Sequence, residues 1–256
     1  MYISYKHEVI FIHCRKAAGS SISYYLSQVG GARDLQLSSI KETLDSGKLP
    51  PLRTLGSAFS NRDAYIALTE TLLSGKGIRN AIARAAKRSF KNRLGPKPQH
   101  ASAEVIKSAF RSEWGSFQSF CVVRNPFDMA VSDYFWRTRE LDRPPSFNYY
   151  LSALKDGNSL NGLIPIDNYY NWPKYTSNDQ VIVNEVLKFE NLLNDIQIFF
   201  EKSRIPFLGI LPNLKSTHRP KYSKYRSLRD FYSDENMRLV KVLYEEEIEY
   251  FKYDLK

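Results

Sequence analysis

The chain has little cysteine, little histidine and no long apolar run. Of its 256 residues only Cys14 and Cys121 are cysteines. Both end short apolar stretches, so they read as small core side chains rather than as a disulfide or a metal pair. A zinc site needs clustered Cys and His, whereas His7, His13, His100 and His218 are scattered. No uninterrupted apolar stretch reaches the ~18 residues of a transmembrane helix, and the start, Met1-Tyr-Ile-Ser4, lacks the pattern of a secretory signal. Internal repeats and low-complexity segments are also missing. The length suits one α/β domain over residues 1–256 with a substantial core, and a second full domain is not expected.

Acidic residues are in deficit. Lys and Arg number 37 against 27 Asp and Glu, a formal charge of +10. Such an excess fits nucleic acid, an anionic membrane surface or an acidic substrate. Much of it is local: Lys76, Arg79, Arg84, Lys87, Arg88, Lys91, Arg93 and Lys97 follow one another with no acid between them. Ile78, Ile82, Ala85, Ala86 and Phe90 recur at roughly helical spacing, which predicts a basic amphipathic helix over 76–97. Its cationic face is either solvated, or a contact for an acidic polymer, or a contact for a membrane surface or nucleic acid.

The glycine-rich nucleotide loop G-x-x-x-x-G-K-[ST] is absent as well. Lys16 precedes Gly19 by three residues, and no apolar strand ends in an Asp placed to hold magnesium. What is present is Val9-Ile-Phe-Ile-His-Cys-Arg-Lys-Ala-Ala-Gly-Ser-Ser-Ile22. Val9 to Ile12 suits a buried strand, and Ile22 to Val29 suits a helix closed by Gly30-Gly31. The loop between them carries Arg15, Lys16, Gly19, Ser20 and Ser21. A strand feeding a small-residue loop at a helix N-terminus turns backbone N–H groups and the positive dipole end toward one spot, a cradle for phosphate or sulfate. An ordinary strand-to-helix turn is the plainer alternative.

A second unit of the same kind follows. Phe120-Cys-Val-Val123 predicts a strand, and Arg124-Asn-Pro-Phe-Asp-Met-Ala-Val-Ser132 predicts a loop and a helix begun by Pro126. Arg124 sits at the strand's end and Ser132 about two turns into the helix. Both therefore belong at the carboxyl edge of a parallel sheet, where open α/β folds bind ligands. Two separate anion clamps suggest a ligand with phosphates at both ends.

These two motifs, in this order, resemble the cofactor signatures of sulfotransferases that use 3′-phosphoadenosine-5′-phosphosulfate. The likeness is to the carbohydrate branch that includes the heparan 2-O and chondroitin enzymes. It extends to Pro98-Gln-His-Ala-Ser102, to Val186-Leu-Lys-Phe-Glu-Asn-Leu192 and to Leu211-Pro-Asn-Leu-Lys-Ser216, while residues 31–97 carry none of it and read as a variable, basic insertion. The resemblance implies a P-loop-kinase-like three-layer α/β fold, with a parallel sheet of about five strands and helices on both faces. It implies transfer of a sulfuryl group to a carbohydrate or polysaccharide hydroxyl, on an acceptor that could itself be acidic. It places Arg15, Lys16, Gly19, Ser20 and Ser21 on the 5′-phosphosulfate and Arg124 and Ser132 on the 3′-phosphate. Lys215 and Tyr222, in the late basic loop, become cofactor contacts. Relatives in animals carry a membrane anchor; its absence here leads to the expectation of a cytoplasmic, bacterial form.

The chemistry needs a base and a cation on the leaving group, and no metal is expected because a sulfuryl group carries less charge than a phosphoryl group. Lys16 suits the departing oxygen. Among the histidines, His100 matches the family's His-Ala-Ser segment and is the expected base, with a carboxylate as its rival. The remaining expectations are coarser: a helix over Ala103–Phe110, a strand over Val181–Phe189, and one helix over Asp234–Phe251 with Glu245, Glu246 and Glu247 solvated. Tyr169 to Tyr175 is expected to form an aromatic lip for substrate. Two readings compete with the sulfotransferase: a nucleotide-dependent kinase with a degenerate loop, and a non-catalytic protein binding polyanions or nucleic acid.

Overall fold

The structure, a computed structural model, describes residues 1–159, 169–212, 214 and 227–255. They belong to two compact units. Met1–Cys14, Ala18–Val122 and Pro173–Leu214 form a sheet unit; Arg15–Ala17, Val123–Trp172 and Lys215–Lys256 form a helical unit. Among the described residues no helix is long and apolar enough to cross a membrane.

The strands are β1 (Tyr2–Ser4), β2 (Val9–Ile12), β3 (Leu35–Gln36), β4 (Gln118–Val123), β5 (Thr176–Ser177), β6 (Gln180–Val181) and β7 (Glu185–Lys188). Five of them make one sheet in the order β3-β1-β2-β4-β7. The chain is thus α/β with the expected number of strands, but the sheet is mixed rather than parallel. β2 and β4 do run parallel, with Phe11 opposite Phe120 and Ile12 opposite Cys121. β1, in contrast, lies antiparallel to both β2 and β3. The reason is connection length: the few residues Tyr5 to Glu8 join β1 to β2, and only an antiparallel neighbour can be reached by so short a turn. Every residue of β2 is buried, as its unbroken apolar run requires. Cys14 and Cys121 are both buried.

One carboxylate ties the edge of this sheet together. Asp34 is fully buried. Its Oδ2 accepts from the Tyr2 hydroxyl at 3.0 Å, the Ser4 hydroxyl at 2.9 Å and the Gly31 N–H at 2.9 Å. Its Oδ1 accepts from the N–H groups of Tyr5 at 2.8 Å and Lys6 at 3.2 Å. Burial and the Asp34 charge push the Tyr2 phenol well above its ordinary pKa, so it stays a donor. Gly30 must be glycine here, since a Cβ would lie 2.3 Å from the Tyr2 hydroxyl oxygen and 2.5 Å from Asp34 Oδ2.

Residues 31–97 contribute β3 to the sheet and otherwise make a small helical layer. The expected basic helix over 76–97 is broken into Ile78–Arg88 and Lys91–Leu94. Its buried stripe is alanine, Ala81, Ala83, Ala85 and Ala86, packed with Ala64 and Leu68 of the helix Arg62–Leu73. Small side chains let two helices approach closely, and Ile78 is left outside, 53 % exposed. The strand expected over Val181–Phe189 is likewise split. β6 pairs with β5 in a separate two-stranded sheet, and β7 joins the main one. Between them Asn184 Oδ1 accepts from both the N–H and the hydroxyl of Ser119, at 2.8 and 2.7 Å. A side chain there takes over a ladder position.

The helical unit is built on Pro126–Thr138, Phe147–Lys155, Asp234–Leu243 and Glu245–Phe251. Pro126 does open its helix, and Asn125 Oδ1 caps it by accepting from Phe127 N–H at 3.1 Å. The helix expected over Asp234–Phe251 breaks at Tyr244, whose φ is −132°. That break turns Glu247 inward, where it is buried instead of solvated. Phe127, Tyr134, Phe147, Tyr150, Val240 and Tyr244 belong to the core of this unit. The aromatic lip is not there: Trp172 and Tyr175 are buried, and Tyr169 and Tyr170 pack against the core of the helical unit.

Because Asp34 satisfies five donors of one corner, Asp34→Ala strands several of them out of water. It is expected to lower the free energy of unfolding by about 2–4 kcal/mol in urea titrations, and a loss below about 1 kcal/mol would contradict the role.

Candidate anion-binding site

In the sheet unit, β2 runs into His13 and Cys14, and the helix Gly19–Val29 starts five residues later. The residue before it, Ala18, is left-handed at φ 56°, and no side chain caps the first turn. No acidic residue stands in that turn either. A helix start of this kind has N–H groups to offer and a positive dipole end, both suited to an anion. Gly19 is glycine for a reason the sequence does not disclose. A Cβ there would lie 2.0 Å from Cδ2 and 2.2 Å from Nε2 of His13, so the buried imidazole occupies the space. Ser20 is half-buried and its carbonyl accepts from the Ser39 hydroxyl at 3.0 Å. Ser21 is buried, and its Oγ accepts from Leu214 N–H at 3.3 Å.

His100 belongs to the same unit. It ends the short turn Pro98–His100 and is half-buried. Its Nδ1 lies 3.2 Å from the His13 carbonyl oxygen, and the two rings meet edge-on at 4.6 Å. A carbonyl only accepts, so Nδ1 carries the proton and a neutral ring keeps its lone pair on Nε2. The His100 carbonyl in turn accepts from Lys174 Nζ at 3.0 Å. The expected base is therefore held at both its ring and its backbone, in the tautomer a base at Nε2 needs.

The turn Arg15–Ala17 belongs to the helical unit, and there it is braced on both sides. Asn171 Oδ1 accepts from Arg15 N–H at 2.7 Å, and Asn171 Nδ2 donates to the Arg15 carbonyl at 3.1 Å. Lys16 is left-handed at φ 57°. Its carbonyl accepts from Arg124 Nη1 at 2.8 Å. The Arg124 guanidinium is itself oriented by Asp128 Oδ2, which accepts from Nε at 2.9 Å and Nη2 at 2.5 Å. Lys16 Nζ sits 4.7 Å from the Trp136 ring centroid. Two residues from motifs far apart in sequence are thus brought together. Ser132 lies one helical turn past Asp128 in the helix Pro126–Thr138, half-buried and on the same face.

Arg15 also takes part in an ion pair of the helical unit. Its Nη2 pairs with Asp133 Oδ1 at 3.0 Å. Asp133 is buried, and its other oxygen, Oδ2, accepts from Arg137 Nε at 2.7 Å and from the Tyr150 hydroxyl at 2.8 Å. Burial alone would raise the Asp133 pKa, but the charges of Arg15 and Arg137 outweigh it and hold the carboxyl below its ordinary value. Burial lowers and the Asp133 charge raises the Arg137 pKa, with a net rise. Both shifts describe one ion triad. Sequence reasoning missed Asp133 although its Arg137 partner, four residues on, was a visible signal. Asn171 lies 156 residues from Arg15 and gave none. Lys215 and Tyr222, the other expected cofactor contacts, lie outside the described residues.

Asp133→Asn would leave two arginine side chains, Arg15 at 17 % and Arg137 at 7 % exposure, without their counter-charge. It is expected to cost about 3 kcal/mol of stability at neutral pH. Because the native pKa lies below the ordinary 3.8, the triad stabilises above that pH and the contribution disappears as pH falls through the depressed native value. The acid side of the stability profile, measured by urea unfolding against pH, should flatten in the variant. An unchanged acid limb would contradict the assignment. Comparison of the chain with protein-family models, with curated proteins and with solved structures finds no match.

Proposed function

We propose that the chain is a sulfotransferase of P-loop-kinase-like fold, which moves the sulfuryl group of 3′-phosphoadenosine-5′-phosphosulfate to a hydroxyl of a carbohydrate acceptor. The observation that carries this reading is the parallel pairing of β2 with β4, the two strands that lead into the two anion motifs. Parallel neighbours send their loops off one sheet edge, where open α/β sheets take ligands. The Arg124 contact to the Lys16 carbonyl, at 2.8 Å, supports the same reading from the loops themselves.

In this reading Lys16, Gly19, Ser20 and Ser21 serve the 5′-phosphosulfate, and Arg124 and Ser132 the 3′-phosphate. The acceptor oxygen attacks sulfur while the bond from sulfur to the bridging 5′-phosphate oxygen breaks in line. The acceptor proton goes to Nε2 of His100, and the charge growing on the bridging oxygen is met by the Lys16 ammonium. Resting over Trp136 does not prevent this. Both residues are half-buried, and a cation–π contact there is worth between about 0.5 and 2 kcal/mol, no more than the about 1.5–3 kcal/mol of a hydrogen bond to a charged group.

Calorimetry with adenosine 3′,5′-bisphosphate, ADP and ATP tests the reading. The bisphosphate is expected to bind about 10- to 150-fold more tightly than ADP, the worth of one charged contact. Arg124→Ala should erase that preference. Equal affinities sink the proposal; magnesium-dependent loss of the terminal phosphate of ATP makes the chain a kinase, and salt-sensitive binding to heparin or DNA without turnover makes it a binding protein.

The two catalytic assignments separate in kinetics. Lys16→Ala should lower kcat far more than it weakens binding of the bisphosphate product. His100→Ala should leave nucleotide binding intact and lower kcat by about two orders of magnitude. Near-normal turnover in either variant removes that residue from its role.

A further inference from the structure

The helix Arg62–Leu73 has apolar side chains on two opposite faces. Ala64, Ala67 and Leu68 are buried in the small alanine-rich core. The other face carries Tyr65, Ile66, Leu72 and Leu73, all exposed, with Leu73 at 89 %. Their spacing, a pair followed seven residues later by a second pair, makes one stripe two turns long. The chain then turns through Gly75 and Gly77, at φ 72° and 79°, and Ile78 stands exposed at the start of the returning helix Ile78–Arg88. Single exposed apolar residues are ordinary on a protein surface, but a stripe of this kind at the tip of one hairpin is not.

The charge around that tip is mainly positive. Lys76 sits in the turn, exposed, and Arg79 follows one residue after Ile78. Of the acids at this hairpin, Asp45 is paired with Arg79 at 3.1 Å and Glu70 with Arg84 at 3.2 Å, while Asp63 lies in the first turn of Arg62–Leu73, at the end away from the tip. From Lys76 to Lys97 the segment itself contains none. A second copy of the same surface would bring cations against cations. An anionic lipid surface complements both the apolar stripe and the charge, because apolar side chains enter the boundary of the acyl chains while Lys and Arg meet headgroup phosphates.

We propose that the hairpin tip of Leu72, Leu73, Lys76 and Ile78 is a docking surface for an anionic membrane. It is independent of the sulfotransferase reading and holds or fails without it. The full chain is sedimented with vesicles of phosphatidylcholine alone and of phosphatidylcholine with an equal part of phosphatidylglycerol. It should partition into the anionic vesicles at least about tenfold better than into the neutral ones, and high salt should reduce the difference. The double variant Leu73→Ser/Ile78→Ser, both at exposed positions, should retain its fold by circular dichroism and lose binding by about tenfold or more. Lys76→Glu should weaken binding severalfold and leave less salt dependence. Equal partition into both vesicles overturns the proposal, as does full binding by the double variant. Sedimentation velocity decides the rival occupant: a wild-type dimer that the double variant dissociates makes this face an interface between copies and overturns the membrane assignment.

Discussion

A carboxylate buried in an apolar helix cluster has to be surrounded by cations and donors, and Asp133 is surrounded by Arg15, Arg137 and Tyr150. The helical unit is organised by that requirement. Arg137 comes from the same helix, but Arg15 comes from the turn after β2, so satisfying Asp133 fixes where that turn lies in the unit. Asn171 then holds both backbone groups of Arg15, and Arg124 holds the carbonyl of Lys16. With its neighbours held in this way, Lys16 adopts a left-handed backbone that costs a non-glycine residue about 1 kcal/mol or more. A lysine in such a turn presents its ammonium from a fixed backbone, which is what a cation acting on a departing oxygen requires.

The sheet unit obeys a second constraint of the same kind. Asp34 gathers donors from β1, from the turn after it and from the end of the helix Gly19–Val29. Both acids are buried, and both stitch together segments that are distant in sequence. They differ in their partners. Asp34 is held by neutral hydroxyl and amide donors, whereas Asp133 is held by two guanidinium charges and one phenol. Each leaves an imprint on its surroundings: the Tyr2 phenol beside Asp34 and the Tyr150 phenol beside Asp133 are both raised well above their ordinary pKa, by burial first and then by the carboxylate charge.

What the sequence disclosed was what local pattern encodes. β2 was legible as an unbroken apolar run and β4 as a second one, and their parallel pairing followed from the loop-and-helix signals after each. β1 was not legible, because three residues, Tyr2 to Ser4, carry too little pattern to separate a strand from an irregular start. The break at Tyr244 was hidden by apolar spacing that continues through it, and with it the burial of Glu247. The residues of the candidate site were visible one by one. Their partners were not: the fit of Gly19 to His13, the grip of Asn171 on Arg15 and the brace from Arg124 to Lys16 are all long-range or steric facts. Arg15 illustrates the difference. Its position next to Lys16 suggested a phosphate ligand, and no local pattern disclosed that its guanidinium also pairs with Asp133.

In the proposed reading the turn bearing Lys16 and the loop bearing Arg124 respond together to one nucleotide with phosphates at both ends. Amide hydrogen exchange of the full chain, with and without adenosine 3′,5′-bisphosphate, reads this directly and by segment. Slower exchange on binding is expected at residues 15–21 and at 124–133, with 76–97 unchanged. Unchanged exchange in both of the first two segments, or slowing confined to 76–97, would contradict the reading.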